Sequence, residues 1–265
     1  MAENMINNLK ISIVGGGVVG RAVSAFYSGV KIYDKYRPVD SLSEVVKADY
    51  IFVAVPTPYK DGPDLTEMDD AIENLVKNLP KDSKAVVIIK STVAPGTTDA
   101  YQKKYPDLNL VFSPEFLTER TAVEDFAKPD KQLVGYSDKT KDSAAQVLAI
   151  LPPAPYQKIL PAKECEIVKY AINSFYAFKV IFGNQIFDLC QKLNLDYDHV
   201  RRGLATDQRI VDSHFDVLHG GYRGFGGKCL PKDVATLAWC ARKNGTPLKF
   251  IEKIIELNNN LREVK

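Results

Sequence analysis

The residues with the clearest chemical potential lie in the segment GGYRGFGGKCLPKD, residues 220–233, which we call the cysteine segment. Its five glycines let the backbone approach a ligand closely. Lys228 and Lys232 flank Cys229, and nearby cations favour the nucleophilic thiolate. A thiolate beside a hydride acceptor can attack an aldehyde, and the adduct can lose hydride to leave a thioester that water cleaves. The alternative is an inert thiol in a polar glycine loop.

A second pair of polar residues lies in a long apolar helical stretch. Lys169 and Asn173 are spaced i and i+4, so both project from one face of a helix. Together they could hold a reacting oxygen and stabilise charge that develops on it. The alternative is a lysine that extends to solvent and a capped amide, neither with a catalytic role.

A hydride acceptor is indicated near the N-terminus. Gly15, Gly17 and Gly20 form GxGxxG directly after an apolar run and before a helical pattern, which is typical of a dinucleotide pyrophosphate site. Asp34 follows nineteen residues after Gly15 and could accept hydrogen bonds from the adenosine ribose. A carboxylate there favours NAD over NADP, although Lys35 and Arg37 weaken this inference. The alternative is a glycine turn that serves packing only.

The elements that must position these residues follow from hydrophobic patterning. Six apolar runs alternate with amphipathic stretches and predict strands: KISIV, VKIYD, DYIFVAV, KAVVIIKS, NLVFS and QLVGY. This alternation predicts an α/β fold whose Rossmann-type, doubly wound parallel sheet is covered by helices. Four prolines in residues 151–161 predict a linker. We therefore expect an NAD-binding domain at residues 1–155 and a helical domain at 156–265.

Two long helices are expected in the helical domain. The first runs from about Ala162 to Asn194 and is its long central helix. The second begins with Thr246 as N-cap and Pro247 in the first turn.

Composition restricts the class of protein. The chain has 265 residues, and its 35 basic and 33 acidic residues give a formal charge of +2, which argues against nucleic-acid or membrane-surface binding. No secretory leader or bilayer-length apolar run is visible, so a cytoplasmic location is expected. The four cysteines are sparse and unpatterned, which indicates reduced thiols rather than disulfides or a zinc site. Cys165, Cys190 and Cys240 lie on helical patterns and are expected to be buried as small hydrophobes.

Seven segments, in this order, resemble the UDP-glucose and GDP-mannose dehydrogenase family. They are GGGVVG, VAVPTP, KSTVAPGTT, SPEFLTER, ECEIVKYAINSFYAFK, DQRI and GFGGKCLPKD. The resemblance spans both expected domains, and its cysteine segment is highly specific. It implies oxidation of a nucleotide-sugar C6 alcohol through aldehyde and thioester to a carboxylate, with two NAD consumed and UDP-glucose as the leading substrate.

The resemblance also implies roles for single residues. Cys229 matches the nucleophile, Lys169 and Asn173 the oxyanion-stabilising pair, Asp233 the carboxylate that positions or activates water, and Glu115 a proposed base for thioester hydrolysis. Around the nicotinamide and its ribose it implies Thr57, Thr92 and Glu119, with Thr92 also counted among the catalytic residues. Near the cofactor phosphates it implies Lys232. Around the sugar nucleotide it implies Phe116, Leu117, Phe225 and Gly226, together with Glu115, Glu119, Lys169 and Asn173.

Partners follow from the same resemblance. Arg209 in DQRI resembles an arginine that reaches the substrate site of a neighbouring subunit, and the helix from Ala162 resembles one that forms a dimer core. A homodimer through that helix is therefore expected. Members of the family typically carry a third, C-terminal Rossmann-like domain that binds the UDP moiety, and that domain is not expected within these 265 residues. The stretch between Asp34 and Asp49 is also shorter than usual, so the nucleotide half of the substrate is expected to be less enclosed.

Two other functions are compatible with parts of the pattern. A β-hydroxyacid dehydrogenase has a similar two-domain plan and a lysine-xxx-asparagine pair, but it transfers one hydride and has no use for the thiol. A partner or regulatory protein could keep NAD binding without turnover, because a retained fold does not prove catalysis.

Overall fold

The structure is a computed structural model, and it describes residues 9–37, 39–218 and 220–263. The chain forms two compact units, the first ending at Lys169 and the second beginning at Tyr170. The predicted domain boundary between residues 155 and 156 stays a prediction.

The first unit is built on a seven-stranded sheet. Its strands are β1 (Ile11–Val14), β2 (Lys31–Tyr33), β3 (Tyr50–Val53), β6 (Val86–Ile89), β7 (Asn109–Phe112), β8 (Lys131–Tyr136) and β9 (Tyr156–Pro161), and a separate ribbon pairs β4 (Tyr59–Lys60) with β5 (Gly62–Pro63). The order across the sheet is β2-β1-β3-β6-β7-β8-β9. All six predicted strands are present, and the α/β fold is confirmed.

The helices of this unit cover both faces of the sheet. They are α1 (Val18–Phe26), α2 (Leu42–Val45), α3 (Thr66–Asn78), α4 (Thr97–Lys104), α5 (Ala122–Ala127) and α6 (Lys141–Ile150), with a 3-10 turn at Glu119–Thr121. Successive strand residues divide between two apolar clusters: Ile51 and Val53 lie in one, and Phe52 lies in the other. Burial on both faces explains why the strands are continuous apolar runs.

Two details of the predicted sheet are wrong. The sheet is not wholly parallel, because β8 pairs antiparallel with β7 while the other neighbours in the sheet are parallel. The predicted linker at 151–161 contains strand β9, which pairs with β8 along its whole length. Pro161 is tolerated because it ends a strand at the edge of the sheet, where a missing N–H costs little.

The long central helix is confirmed as α7 (Ala162–Lys192). The second unit continues with α8 (Tyr197–Ala205), α9 (Leu230–Lys243) and α10 (Lys249–Glu263). The predicted start of α10 at Thr246 is wrong, because the Thr246 N–H donates to Ala241 O at 2.9 Å and so closes the end of α9. Gly245, at φ +72°, makes that closure possible. None of the helices in the described ranges combines the length and apolarity of a bilayer span.

Candidate active site

The glycine turn after β1 is shaped by two close backbone approaches. Gly15 has φ +106°, and a Cβ there would lie 2.3 Å from the carbonyl oxygen of Ala54, just beyond β3. A Cβ on Gly20 would lie 2.0 Å from the carbonyl oxygen of Gly15. Around Gly17, by contrast, a Cβ would meet no heavy atom within 4 Å among the described residues. Gly15 and Gly20 therefore permit close packing of the backbone. Gly17 leaves room for a ligand at the start of α1, as a pyrophosphate requires.

Asp34 is held against this turn as a carboxylate. Its Oδ2 accepts the N–H of Gly16 at 2.8 Å, and its Oδ1 accepts the N–H groups of Tyr36 and Arg37 at 2.9 Å. Desolvation by burial opposes ionisation, but these backbone hydrogen bonds lower the pKa of Asp34 below its ordinary value. The turn and carboxylate that the sequence predicted as a cofactor site are thus brought together and fit the ribose and pyrophosphate of NAD.

Two loops meet at the carboxyl edge of the sheet near this turn. The Thr57 hydroxyl, after β3, donates to Thr92 O at 2.7 Å, after β6, and Thr92 is buried. The Ser91 hydroxyl accepts the Val55 N–H at 2.9 Å. The two predicted threonines therefore contact each other at the edge where doubly wound sheets bind ligands.

A buried charge cluster lies one strand further along. The Lys169 ammonium is 3.0 Å from Glu115 Oε1, and the Leu117 N–H donates to Glu115 Oε2 at 2.7 Å. Only 5% of the Lys169 side chain and 14% of the Glu115 side chain is exposed. Burial alone would raise the pKa of Glu115. The charge of Lys169 and the hydrogen bond from the Leu117 N–H together outweigh burial, so the pKa of Glu115 is lowered. Glu115 is therefore held as a carboxylate.

The aromatic ring beside this carboxylate is flanked by two cations. Lys131 Nζ lies 4.6 Å and Lys169 Nζ 5.4 Å from the centre of the Phe116 ring. Glu119 lies on the following 3-10 turn and is exposed. Of the four predicted residues in SPEFLTER, three cluster with Lys169, whereas Glu119 faces solvent.

In the second unit, the cysteine segment leads directly into a helix. Cys229 is the exposed N-cap of α9, and its carbonyl oxygen accepts the Asp233 N–H at 3.0 Å. Pro231 in the first turn suits this start, because its missing N–H would have no helical partner. The thiol thus lies at a helix N-terminus, whose partial positive charge favours a thiolate. Cys165, Cys190 and Cys240 are buried, as predicted.

A buried carboxylate lies one helical turn from Cys229. Asp233 is 1% exposed, and its Oδ2 accepts a hydrogen bond from the Asn173 amide at 2.5 Å. Lys232 Nζ lies 2.5 Å from the other oxygen. The predicted residues Asn173, Lys232 and Asp233 are therefore in direct contact.

The glycine-rich part of the cysteine segment is anchored by α10. Asn258 accepts the Phe225 N–H at 2.6 Å and donates to Phe225 O at 3.1 Å, so its amide pairs with the backbone as a neighbouring strand would. Beside it, a Cβ on Gly226 would lie 2.5 Å from the Tyr222 hydroxyl and 2.6 Å from Arg262. The predicted pair Phe225 and Gly226 is thus fixed in place.

Arg209 stands apart from these groups. It is exposed, and its guanidinium pairs with Asp207, with Nε 2.9 Å from Oδ1. Its predicted role at a neighbouring subunit stays a prediction.

The sequence reasoning missed two residues of these clusters. Lys90 is 2% exposed and follows β6, and the signal was a lysine placed directly after the apolar run VVII. Asn258 is 5% exposed and interrupts the apolar face of Ile254, Leu257 and Leu261 in α10. A polar residue in an apolar pattern indicates a specific buried partner.

Comparison with known proteins agrees with the two-unit arrangement. The NAD binding domain of the UDP-glucose/GDP-mannose dehydrogenase family matches residues 34–151, and the central domain of that family matches residues 163–260. The match to the family's NAD binding domain confirms the predicted NAD cofactor.

Individual relatives give the same result. UDP-glucose 6-dehydrogenase of Rhizobium meliloti is 35% identical over 235 residues, covering 83% of this chain and 52% of that protein. UDP-glucose 6-dehydrogenase AglM of Haloferax volcanii is 32% identical over 246 residues, covering 85% and 56%. The chain therefore spans about half the length of the curated relatives it matches. A UDP-glucose dehydrogenase structure from Pyrobaculum islandicum superposes with TM-score 0.82 at 27% identity, covering 95% of this chain and 68% of that one. By both of its domains, this chain belongs to the UDP-glucose/GDP-mannose dehydrogenase family.

Proposed function

We propose that the chain oxidises the C6 primary alcohol of a nucleotide sugar to a carboxylate, with UDP-glucose as the leading substrate and two NAD reduced per sugar. The observation that carries the proposal is the exposed Cys229 at the start of α9, one turn from the buried carboxylate of Asp233. A single hydride transfer needs no thiol, whereas oxidation to an acid needs a way to hold the aldehyde.

The chemistry proceeds in three balanced stages. The alcohol first loses a proton and a hydride to become an aldehyde. The Cys229 thiolate then adds to the aldehyde carbon to form the alkoxide of a thiohemiacetal, which loses a second hydride to become a neutral thioester. Water finally cleaves the carbon–sulfur bond and releases the carboxylate and the thiol. Bound NAD supplies the hydride acceptor in both oxidations.

The chain's own residues supply charge and proton transfer. In the proposal, Lys169 and Asn173 donate to the oxygen on which negative charge develops. Glu115 removes the proton of the attacking water, and its lowered pKa means that it is an ionised acceptor at neutral pH. The Asn173–Asp233 hydrogen bond fixes both side chains, so that Asp233 can position that water.

Cofactor and substrate contacts are assigned on the same basis. The NAD contacts we propose are Gly15, Gly17, Gly20, Asp34, Thr57, Thr92, Glu119 and Lys232. The sugar nucleotide is proposed to contact Phe116, Leu117, Phe225 and Gly226.

The test is an NADH assay with UDP-glucose, GDP-mannose and N-acetylated UDP-sugars, in which NADH is counted per sugar consumed. We expect UDP-glucose to be oxidised with a ratio of two. A ratio of one, with free aldehyde in solution, would show release before the second oxidation. NAD binding without reduction by any sugar would favour the non-catalytic alternative.

We also propose a homodimer through α7. Phe175 and Leu189 on this helix are 59% and 54% exposed, which is unusual for large apolar side chains on an unpartnered surface. Sedimentation velocity should give the mass of a dimer, and Phe175→Glu should give a monomer. The cytoplasmic location predicted from the sequence stays a prediction.

A further inference from the structure

Lys90 is a buried charged residue that the proposed mechanism does not use. Lys90 follows β6 directly and has 2% of its surface exposed. Burying an ammonium group costs free energy that an exposed position would not, so a partner or a function is expected for it.

The contacts of Lys90 point to the segment that carries Glu115. Its ammonium donates to the Ser113 hydroxyl at 3.2 Å and to the Pro114 carbonyl oxygen at 3.4 Å. Ser113 continues the ladder of the sheet, since its N–H donates to Ile89 O at 2.9 Å. Lys90 therefore bridges the ends of two neighbouring parallel strands and holds the two residues that precede Glu115.

The charge of Lys90 also acts on that carboxylate. Burial is the main effect that lowers the pKa of Lys90, to about 8, and the negative charge of Glu115 opposes it. In return, Lys90 contributes with Lys169 to the lowered pKa of Glu115. Two further charged groups contact this segment: Lys131 lies over the Phe116 ring, and the Asp125 carboxylate accepts the Thr118 N–H. The carboxylate is thus bracketed by cations from β6 and α7.

We infer that Lys90 is a positioning residue for Glu115: it fixes the turn that presents the carboxylate for hydrolysis of the thioester and adds its charge to that of Lys169. The inference rests on the proposed function for the hydrolytic role of Glu115. Two observations do not depend on the proposed function: the hydrogen bonds that hold the turn, and the positive charges on both sides of Glu115.

The test compares Lys90→Met, which removes the charge at similar length, with Lys90→Arg, which keeps it. Lys77→Met is the matched control, because Lys77 is an exposed lysine of the same unit. Lys90→Met leaves the Lys169–Glu115 ion pair in place, so the carboxylate keeps its main partner, and urea unfolding checks that each variant folds. The Glu115 carboxyl carbon is labelled with ¹³C, assigned with Glu115→Gln, and titrated by NMR in each variant.

In Lys90→Met the Glu115 titration should move to higher pH, whereas Lys90→Arg and Lys77→Met should show no such move. With an active sugar, the acidic limb of the kcat profile should move to higher pH in Lys90→Met alone. An unmoved Glu115 titration in Lys90→Met, or an equal move in Lys90→Arg, would overturn the inference. Absence of NAD reduction with every sugar would overturn the proposed function instead, while the NMR titration would still decide whether Lys90 acts on Glu115.

Discussion

In the unit that ends at Lys169, Glu115 and its cations are enclosed at the carboxyl edge of a sheet, whereas the unit that begins at Tyr170 leaves Cys229 exposed where a glycine-rich segment meets a helix. Enclosure strengthens the interaction between charges, because a low dielectric screens them less. A nucleophile must instead remain accessible to its substrate. The difference shows that the paired charges and the proposed nucleophile are supported by different kinds of structure.

Removal of the thiol should have the largest effect. Cys229→Ala is expected to lower acid production by at least about 10³-fold, because the proposed thioester route loses its nucleophile. NAD affinity should stay within about twofold, since the glycine turn of the first unit is unchanged. The assay is NADH formation with isothermal titration of NAD.

Cys240→Ala is the matched control, because it removes a buried thiol from the same helix. Its turnover should remain close to that of the wild type. NADH formation by Cys229→Ala within tenfold of the wild-type rate, with one NADH per sugar and no acid, would favour the β-hydroxyacid type of reaction.

Substitutions in the glycine turn should affect either the stability of the fold or the affinity for NAD, depending on the glycine that is replaced. Gly15→Ala should destabilise the fold by about 2–4 kcal/mol, because it combines a left-handed backbone with a clash against Ala54. Gly17→Ala should fold normally and bind NAD about tenfold more weakly, because the methyl group occupies space left for the pyrophosphate. Urea unfolding and NAD titration measure the two effects. Equal loss of stability in both variants would contradict this division.

Loss of the Asn258 amide should loosen the cysteine segment without touching the first unit. Asn258→Ala is expected to lower kcat/KM for the sugar by about 10–100-fold, because Phe225 loses two backbone hydrogen bonds that fix the loop. The exposed neighbour Asn259 supplies the control Asn259→Ala. Similar kinetics in the two variants would exclude Asn258 as an anchor.

Substitution of Glu115 should have the smallest effect, a change in the free energy of unfolding that depends on pH. Because the folded pKa of Glu115 is lowered, its ion pair stabilises the protein above the ordinary glutamate pKa of about 4.3 and is lost as pH falls through the folded value. Glu115→Gln should therefore be less stable than wild type by about 1–2 kcal/mol at about pH 7 and equal to it at about pH 3. Urea unfolding at the two pH values measures this, and a constant difference would contradict it.

The sequence was sufficient where local pattern and local structure agree. The glycine turn, Asp34, the strands and the start of α7 were all predicted from spacing and apolar runs. The sequence was insufficient where a distant partner decides the outcome. Residues 156–161 form a strand only because β8 offers an unpaired edge. Lys90 and Asn258 acquire their roles from Ser113 and Phe225, which lie 23 and 33 residues away along the chain.

The most direct measurement of the central claim is intact-protein and peptide mass spectrometry of enzyme quenched during turnover with UDP-glucose and NAD. Glu115→Gln should be used beside the wild type, because a slow hydrolysis step makes the thioester accumulate. The account predicts a mass increase on the peptide that contains Cys229, matching the sugar nucleotide bound as a thioester. Production of the acid at the normal rate with Cys229 unmodified in both proteins would contradict it.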